Sequence, residues 1–357
     1  LKSGRRRIGP DFRGKKKKNM RAAATRASRE YQRKKPNQTT TPLFTGVTMG
    51  HHSPPLAPAR RRCLRGSSFS SGLSSRLFSG RTARGHEADA SPRYVVSEEQ
   101  KKSFAEKGYA LLPKFLSEEE LKPIEEIYDR FMSREIKVPG KDFCDMSKSF
   151  DTAFEDFSIV NCMLPRVYYP PLQGNIYEIL AESVAAQLFE GLEMRLDYDQ
   201  LLNKRPGKQD AVFAWHQDMA YWPPREVTPD TRTVTFSLAL DATTKANGCL
   251  VFLPGSGLEG ELRPHVPIGS SRDDSHAIAV QVSDEEYQEH VQAERGDVTI
   301  HDEWVVHGSQ GNLTDGNRRT YVVAYRARDT VERERALGFT HSHNTEFSWD
   351  AWIDGWD

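Results

Sequence analysis

Two kinds of apolar spacing divide this chain. Between Tyr94 and Leu188 the signals are helical. Ser97–Gly108 opens on a capping Ser, follows with acids and closes on Gly, the marks of a short helix. "YALLPKFL" then reads as a strand and turn. Ser117–Arg134 begins with Ser117 and Glu120 in capping-box spacing and repeats apolar residues at helical intervals, with Pro123 in its first turns. A third helix is expected from Asn175 to about Leu188. Beyond it the period shortens to that of strands. The expected strands are Glu193–Leu202, Ala211–Trp215, Thr233–Leu240, Leu250–Leu253, Ala277–Val282, Asp297–Ile300 and Thr320–Arg326. They are short, rich in Val, Thr, Tyr and Phe, and separated by Gly, Pro, Asn and Asp. Helices first and many short strands afterwards predict an α+β chain, its all-β core a jelly-roll barrel of two facing sheets with the helices packed outside. No internal repeat is visible.

Before Tyr94 neither pattern holds. Residues 1–86 carry 22 Lys and Arg against two acids, Asp11 and Glu30, so a chain of zero formal net charge joins a basic leader to an acidic body. The leader lacks the apolar content to offset its ordering entropy, and disorder is expected there. The chain opens on Leu1, with Met20 and Met49 as candidate starts. From Met49 to Gly85 the sequence has no acid and many Arg and Ser, with a short amphipathic piece at Leu73–Phe78. That is the composition of an organelle transit peptide, and "RLFS" at Arg76–Ser79 resembles a mitochondrial processing site. The expected address is therefore mitochondrial, with plastid or cytoplasm as alternatives. The C-terminal "GWD" is not the Ser-Lys-Leu of a peroxisomal signal. The expected organisation is a leader over 1–86 and one domain over 87–357.

Composition narrows the partners. An acidic body repels the phosphate backbone, so no nucleic-acid partner is expected. No apolar run approaches the roughly 18 residues of a membrane span. The four cysteines are widely spaced, with no C-x-x-C, which argues for reduced intracellular thiols and against a disulfide framework or zinc knuckle.

The chemistry gathers in two stretches. "AWHQDMAYW" (Ala214–Trp222) places His216 and Asp218 two apart at the end of a strand-like run, where alternate side chains share a face. Taken alone, such a pair is more often an ordinary polar contact. "GDVTIHDEWVVHGSQGNLTDGNRRTYVVAYRAR" (Gly296–Arg328) adds His307. Two His and one carboxylate on one face make the facial triad of non-haem iron oxygenases. His301 competes with His307; its other readings are a neighbour of the metal, a substrate-facing residue or a half-buried strand histidine. Arg318, eleven residues past His307, has the planar fork that a dicarboxylate cosubstrate needs. Arg319 is the alternative, and strand alternation admits only one of them to the barrel. Ser309 offers a hydroxyl to the same carboxylate.

The ordered set resembles the phytanoyl-CoA dioxygenase family of Fe(II)/2-oxoglutarate oxygenases. The matching stretches are "LLNKRPG" (Leu201–Gly207), "WHQDMAYWP" (Trp215–Pro223), "LALDATTKANGCLVFLPGSG" (Leu238–Gly257), "GDVTIHDEWVVHGSQGN" (Gly296–Asn312) and "RRTYVVAYR" (Arg318–Arg326). The resemblance implies a double-stranded β-helix, the cupin-like jelly roll. It implies His216, Asp218 and His307 as catalytic iron ligands and Arg318 with Ser309 on the distal carboxylate of 2-oxoglutarate. Asn203 or Lys204, and Trp222, fall where the family adds cosubstrate contacts. Fe(II), 2-oxoglutarate and O2 are the implied cofactors, with ascorbate as an accessory reductant. The implied reaction hydroxylates a small molecule or acyl chain and releases succinate and CO2. Some relatives with a small residue in place of the ligand carboxylate are halogenases; Asp218 points to hydroxylation. Gly257 stands where the family often has His, near the substrate mouth. A zinc enzyme on the same three ligands leaves Arg318 without a task, and a non-catalytic jelly-roll binding protein leaves the whole set without one. Substrate contacts are expected from Lys137–Pro171 and Gly257–Gln281, joined by some of Tyr221, Trp222, Trp304, Phe339, Phe347, Trp349 and Trp352. "THSHN" (Thr340–Asn344) offers a second metal site as an alternative but reads first as a polar surface loop. The substrate and the oligomeric state are not legible.

Overall fold

The structure is a computed structural model that describes residues 92–225, 230–268 and 275–345. The leader, Phe347, Trp349 and Trp352 lie outside the described residues.

The helical half follows its caps. Helix α1 (Glu98–Lys107) starts where the Ser97 hydroxyl accepts from Gln100 N and the Gln100 side chain accepts from Ser97 N. It stops at Gly108, whose φ of 87° lies in the left-handed region open to glycine. Strand β1 (Tyr109–Leu112) follows, then helix α2 (Glu118–Met132). Pro123 sits six residues into α2, deeper than its first turn, and the helix continues through it because Leu121, Ile124, Tyr128 and Phe131 are buried on one face. Next come β2 (Phe143–Asp145), β3 (Ile159–Met163), the one-turn α3 (Pro165–Tyr168) and α4 (Ile176–Leu188), capped by Asn175. Strands β2 and β3 escaped the sequence pattern, since β3 is buried at every position and shows no alternation.

The strand half comprises β4 (Met194–Lys204), β5 (Phe213–His216), β6 (Thr233–Ala239), β7 (Leu250–Phe252), β8 (Val266–Pro267), β9 (Ile278–Ala279), β10 (Glu289–Val291), β11 (Val298–His301), β12 (His307–Ser309) and β13 (Arg318–Ala327), followed by helix α5 (Arg328–Ala336). The expected strand over 277–282 shrinks to two residues, and the last strand starts at Arg318 instead of Thr320. The three-residue strands β10 and β12 were too short to be read from alternation.

Seven strands form one antiparallel sheet in the order β1-β11-β6-β13-β4-β3-β2, and four form a second, β10-β7-β12-β5. The central strands of the larger sheet have two covered faces. Tyr321, Val323 and Tyr325 of β13 and Val234, Phe236 and Leu238 of β6 join the apolar core with α2 and α4. Burying an apolar side chain of this size is worth about 1.5–3 kcal/mol. The alternate positions, Thr320, Val322 and Ala324 of β13 and Thr235 and Ser237 of β6, line a cavity of about 110 Å³. The period-2 pattern thus separates a helix-facing core from a cavity-facing wall.

Candidate metal and cosubstrate site

The two candidate histidines lie opposite each other. β12 pairs with β5 so that His307 faces His216 across the ladder. Gly308 permits that approach, because a Cβ there would stand 2.9 Å from the Phe213 carbonyl. Strand alternation does not place Asp218. β5 ends at His216, and Asp218 opens a 3-10 turn over Asp218–Tyr221. The turn still swings its carboxylate inward. Gln217 points elsewhere, donating to the Trp304 carbonyl at 2.7 Å and accepting from Arg263 N at 2.8 Å.

Three atoms converge. His216 Nε2 and His307 Nε2 each lie 3.6 Å from Asp218 Oδ1. Among the described residues this trio is the one grouping of three or more His, Cys, Asp or Glu with metal-holding geometry. The other polar atoms of the trio are already committed. His216 Nδ1 donates to the Ala214 carbonyl at 2.7 Å and His307 Nδ1 to the Val305 carbonyl at 3.0 Å, a tautomer assigned from geometry that turns both Nε2 lone pairs inward. Asp218 Oδ2 accepts from His301 Nε2 and Thr235 Oγ1, both at 3.1 Å, leaving Oδ1 for an ion. His301 is therefore the neighbour that orients the carboxylate. Thr235 does the same, and nothing in the sequence marked it beyond an inward strand position.

The electrostatics suit a cation. Burial, reinforced by the neighbouring His301 and His216, holds His307 well below the ordinary imidazole value, so it is neutral and able to ligate. Burial works to raise the Asp218 carboxyl, but the His216 and His301 imidazoles beside it outweigh burial and hold the group well below the carboxylate range. The donor set, two neutral imidazoles and one carboxylate on one side of a cavity, fits Fe(II) with coordination positions left open.

Arg318 lines the same cavity, buried and without an ion pair among the described residues, its Nε lacking any hydrogen-bond partner. Burial pushes its guanidinium down to about 10. Arg319 faces the helices and pairs with Glu125, Asp129 and Asp241. Lys204 lies opposite Arg318 in the ladder, and its Nζ donates to Ser309 Oγ at 2.5 Å and to the Gln310 carbonyl. Burial first, and then the charge of Arg318, press the Lys204 ammonium well below its ordinary value. Asn203 is not brought to the cavity. It opposes Arg319 on the helix-facing side and donates to Asn317 Oδ1 at 3.1 Å. Trp222 lines the cavity with its ring 4.3 Å from the Arg326 guanidinium.

A profile of the phytanoyl-CoA dioxygenase family matches residues 104–320. The chain belongs to the phytanoyl-CoA dioxygenase family. That makes it an enzyme of the Fe(II)/2-oxoglutarate-dependent oxygenase class, built on the jelly roll that the two sheets form. The peroxisomal phytanoyl-CoA dioxygenase of Rattus norvegicus is 26% identical over 254 residues, covering 66% of this chain and 70% of the relative. A probable alpha-ketoglutarate-dependent hypophosphite dioxygenase of Stutzerimonas stutzeri is 28% identical over 240 residues, covering 65% and 79%. Among solved structures, EvdO2 from Micromonospora carbonacea var. aurantiaca complexed with 2-oxoglutarate superposes with a TM-score of 0.55 at 26% identity, covering 65% of this chain and 91% of that one.

Several wall residues were not singled out from the sequence. Met146 and Met163 come from the segment 137–171 and His276 from 257–281, the two stretches expected to meet substrate. Tyr198 and Gln200 come from inward positions of β4. "THSHN" is not the surface loop it resembles: His341 is buried against Asp197, and His341 and His343 both line the cavity.

Proposed function

We propose that this protein hydroxylates a small organic molecule or acyl chain, using Fe(II) held by His216, Asp218 and His307 and 2-oxoglutarate held at Arg318. The observation behind it is the convergence of His216 Nε2, His307 Nε2 and Asp218 Oδ1, with each residue's remaining polar atom tied to the protein. Iron, when bound, would supply the activation of O2 coupled to oxidative decarboxylation of 2-oxoglutarate to succinate and CO2. The chain's part is positioning. Arg318 offers a fork for two parallel bonds to the distal carboxylate. The Lys204 amine, opposite Arg318 in the ladder, and the Ser309 hydroxyl bonded to it are further candidate donors. The apolar wall of Leu202, Val322 and Leu250 keeps water from the reacting end. A carboxylate at 218 favours hydroxylation over halogenation. Ascorbate would act as accessory reductant, and the basic, Ser-rich leader favours mitochondrial import.

The test loads the full chain with Fe(II) and 2-oxoglutarate without oxygen, reads the 2-oxoglutarate-dependent visible absorbance, then adds O2, ascorbate and a substrate library and measures succinate. Absorbance and succinate are expected for the native chain and lost in Asp218→Ala. Equal succinate from the two proteins would refute the reading, and zinc retained in place of iron would redirect it to hydrolytic chemistry.

A further inference from the structure

The cavity has a second polar end, which the iron and cosubstrate reading does not use. Along β13 its wall steps through Arg318, Thr320, Val322 and Ala324, the last three paired in the ladder with Leu202, Gln200 and Tyr198 of β4. At ~3.4 Å per residue that is roughly 20 Å. Arg318 marks one end. At the other, the Tyr198 hydroxyl donates to Gln200 Oε1 at 2.6 Å, and the His341 ring packs on Tyr198 with centroids 4.8 Å apart. Beside them His276 stacks on Tyr221 at 5.0 Å, and Tyr221 meets His216 edge-on at 5.6 Å. His276 Nδ1 lies 2.5 Å from His343 Nε2, so one ring nitrogen donates and the other accepts. Every one of these side chains faces the cavity.

This end is fastened. His341 and His343 ride on the segment after α5, which Asp142 holds down. Ser342 Oγ donates to Asp142 Oδ2 at 2.6 Å, the His343 amide to Oδ1 at 2.7 Å, and Tyr168 OH to Oδ2 at 2.7 Å. Asn344 adds two bonds, accepting from Lys141 N and donating to the Pro139 carbonyl, both at 2.8 Å.

Among the described residues, this end of the wall also carries no Asp, Glu, Lys or Arg side chain. Among the described residues lining the cavity, only Asp218 and Arg318 are of acidic or strongly basic type. Behind the wall Arg326 pairs with Asp197 and Glu334 under the Trp222 ring, and Arg335 pairs with Asp197. An ionic head brought here would lose its water with no Asp, Glu, Lys or Arg on the described wall of this end to compensate it. A hydroxyl or amide would find donors and acceptors together.

We propose that His276, His341, His343 and the Tyr198–Gln200 pair recognise a neutral hydroxyl- or amide-bearing group of the primary substrate, with Asp142 as a positioning residue for the segment that supplies two of them. The proposal rests on the reading above, which reserves Asp218 and Arg318 for iron and cosubstrate. Four probes sharing one tail test it: hexanamide, hexanol, hexanoate and hexylamine, titrated by ligand-observed NMR against the full chain loaded with Zn(II) and 2-oxoglutarate. The amide and alcohol should bind at least tenfold tighter than the two ions. His276→Leu and His343→Leu should each weaken the amide about tenfold, His343→Gln should restore most of it, and Asp142→Asn should weaken it about threefold. Thermal unfolding of each variant separates lost recognition from lost folding. Hexanoate or hexylamine binding as tightly as the amide, unchanged amide binding in both leucine variants, or no amide binding to a chain that still binds 2-oxoglutarate would each overturn the proposal. Failure of the native chain to bind 2-oxoglutarate, read in the same samples, would overturn the cosubstrate reading itself.

Discussion

Strand β13 buries two arginines eight residues apart, and their surroundings are opposite. Arg326 is fully buried among carboxylates: its guanidinium meets Asp197 at 2.8 Å and Glu334 at 2.6 Å, and these partners raise it above the ordinary value against the pull of burial. Arg318 is equally sequestered and has no such partner. A buried charge left unpaired opposes folding, while a buried charge inside a cluster is locked in place. The first arrangement makes sense where a ligand brings the missing carboxylate, the second where the fold must be pinned. The carboxylates repeat the contrast on β4. Burial works to raise Asp197, but His341 and Arg326 beside it hold it well below the carboxylate range, whereas burial pushes Asp199 up to about 7.

Substitutions should separate these roles. The largest effect is expected from Arg326→Met, which removes the fully buried counter-charge shared by Asp197 and Glu334: a loss of about 3–5 kcal/mol in denaturant unfolding. Unchanged stability would erase the contrast. Arg318→Met should do the reverse, leaving the unfolding midpoint equal or higher while weakening 2-oxoglutarate about 100-fold in anaerobic titration. Arg318→Lys keeps the charge and loses the fork, so a smaller, roughly tenfold loss is expected. The smallest effect is a pH dependence. Asp199 binds its proton more tightly folded than unfolded, so its contribution to stability falls as pH rises from about 4 to about 7 and is flat above. Asp199→Asn retains an acceptor for the Arg166 amide but does not titrate. The native chain should lose a few degrees of Tm across that window relative to the variant, and parallel Tm curves would remove Asp199 from the comparison.

Much of this was legible before any coordinates. The caps at Ser97, Ser117 and Asn175 name the starts of α1, α2 and α4, because capping is a local exchange of hydrogen bonds. The alternation in Thr233–Ala239 and Arg318–Ala327 marks which residues share a face. His216, Asp218 and His307 do converge, but strand alternation is not what brings Asp218 in: it lies past the strand, on a turn. The segment 340–344 misled because polar residues read as surface, and only its bonds to Asp142 and Asp197 turn it inward. Asn203 and Lys204 differ by one residue, and a one-residue step on a strand reverses the face.

By itself the sequence determined the residue types able to ligate iron, the order in which they occur, and the two-residue period that sends Arg318 and Arg319 to opposite sides. Those are properties of neighbouring residues and need no partner strand. The tertiary structure decided which side was the cavity, that His307 stands across from His216, and that His301 and Thr235 secure one oxygen of Asp218 while the other faces His216 and His307. It also gathered His276, His341 and His343 at one end of the cavity from segments some sixty residues apart. Contacts at that separation depend on strand register and on how the two sheets pack, and no local pattern in the chain encodes either.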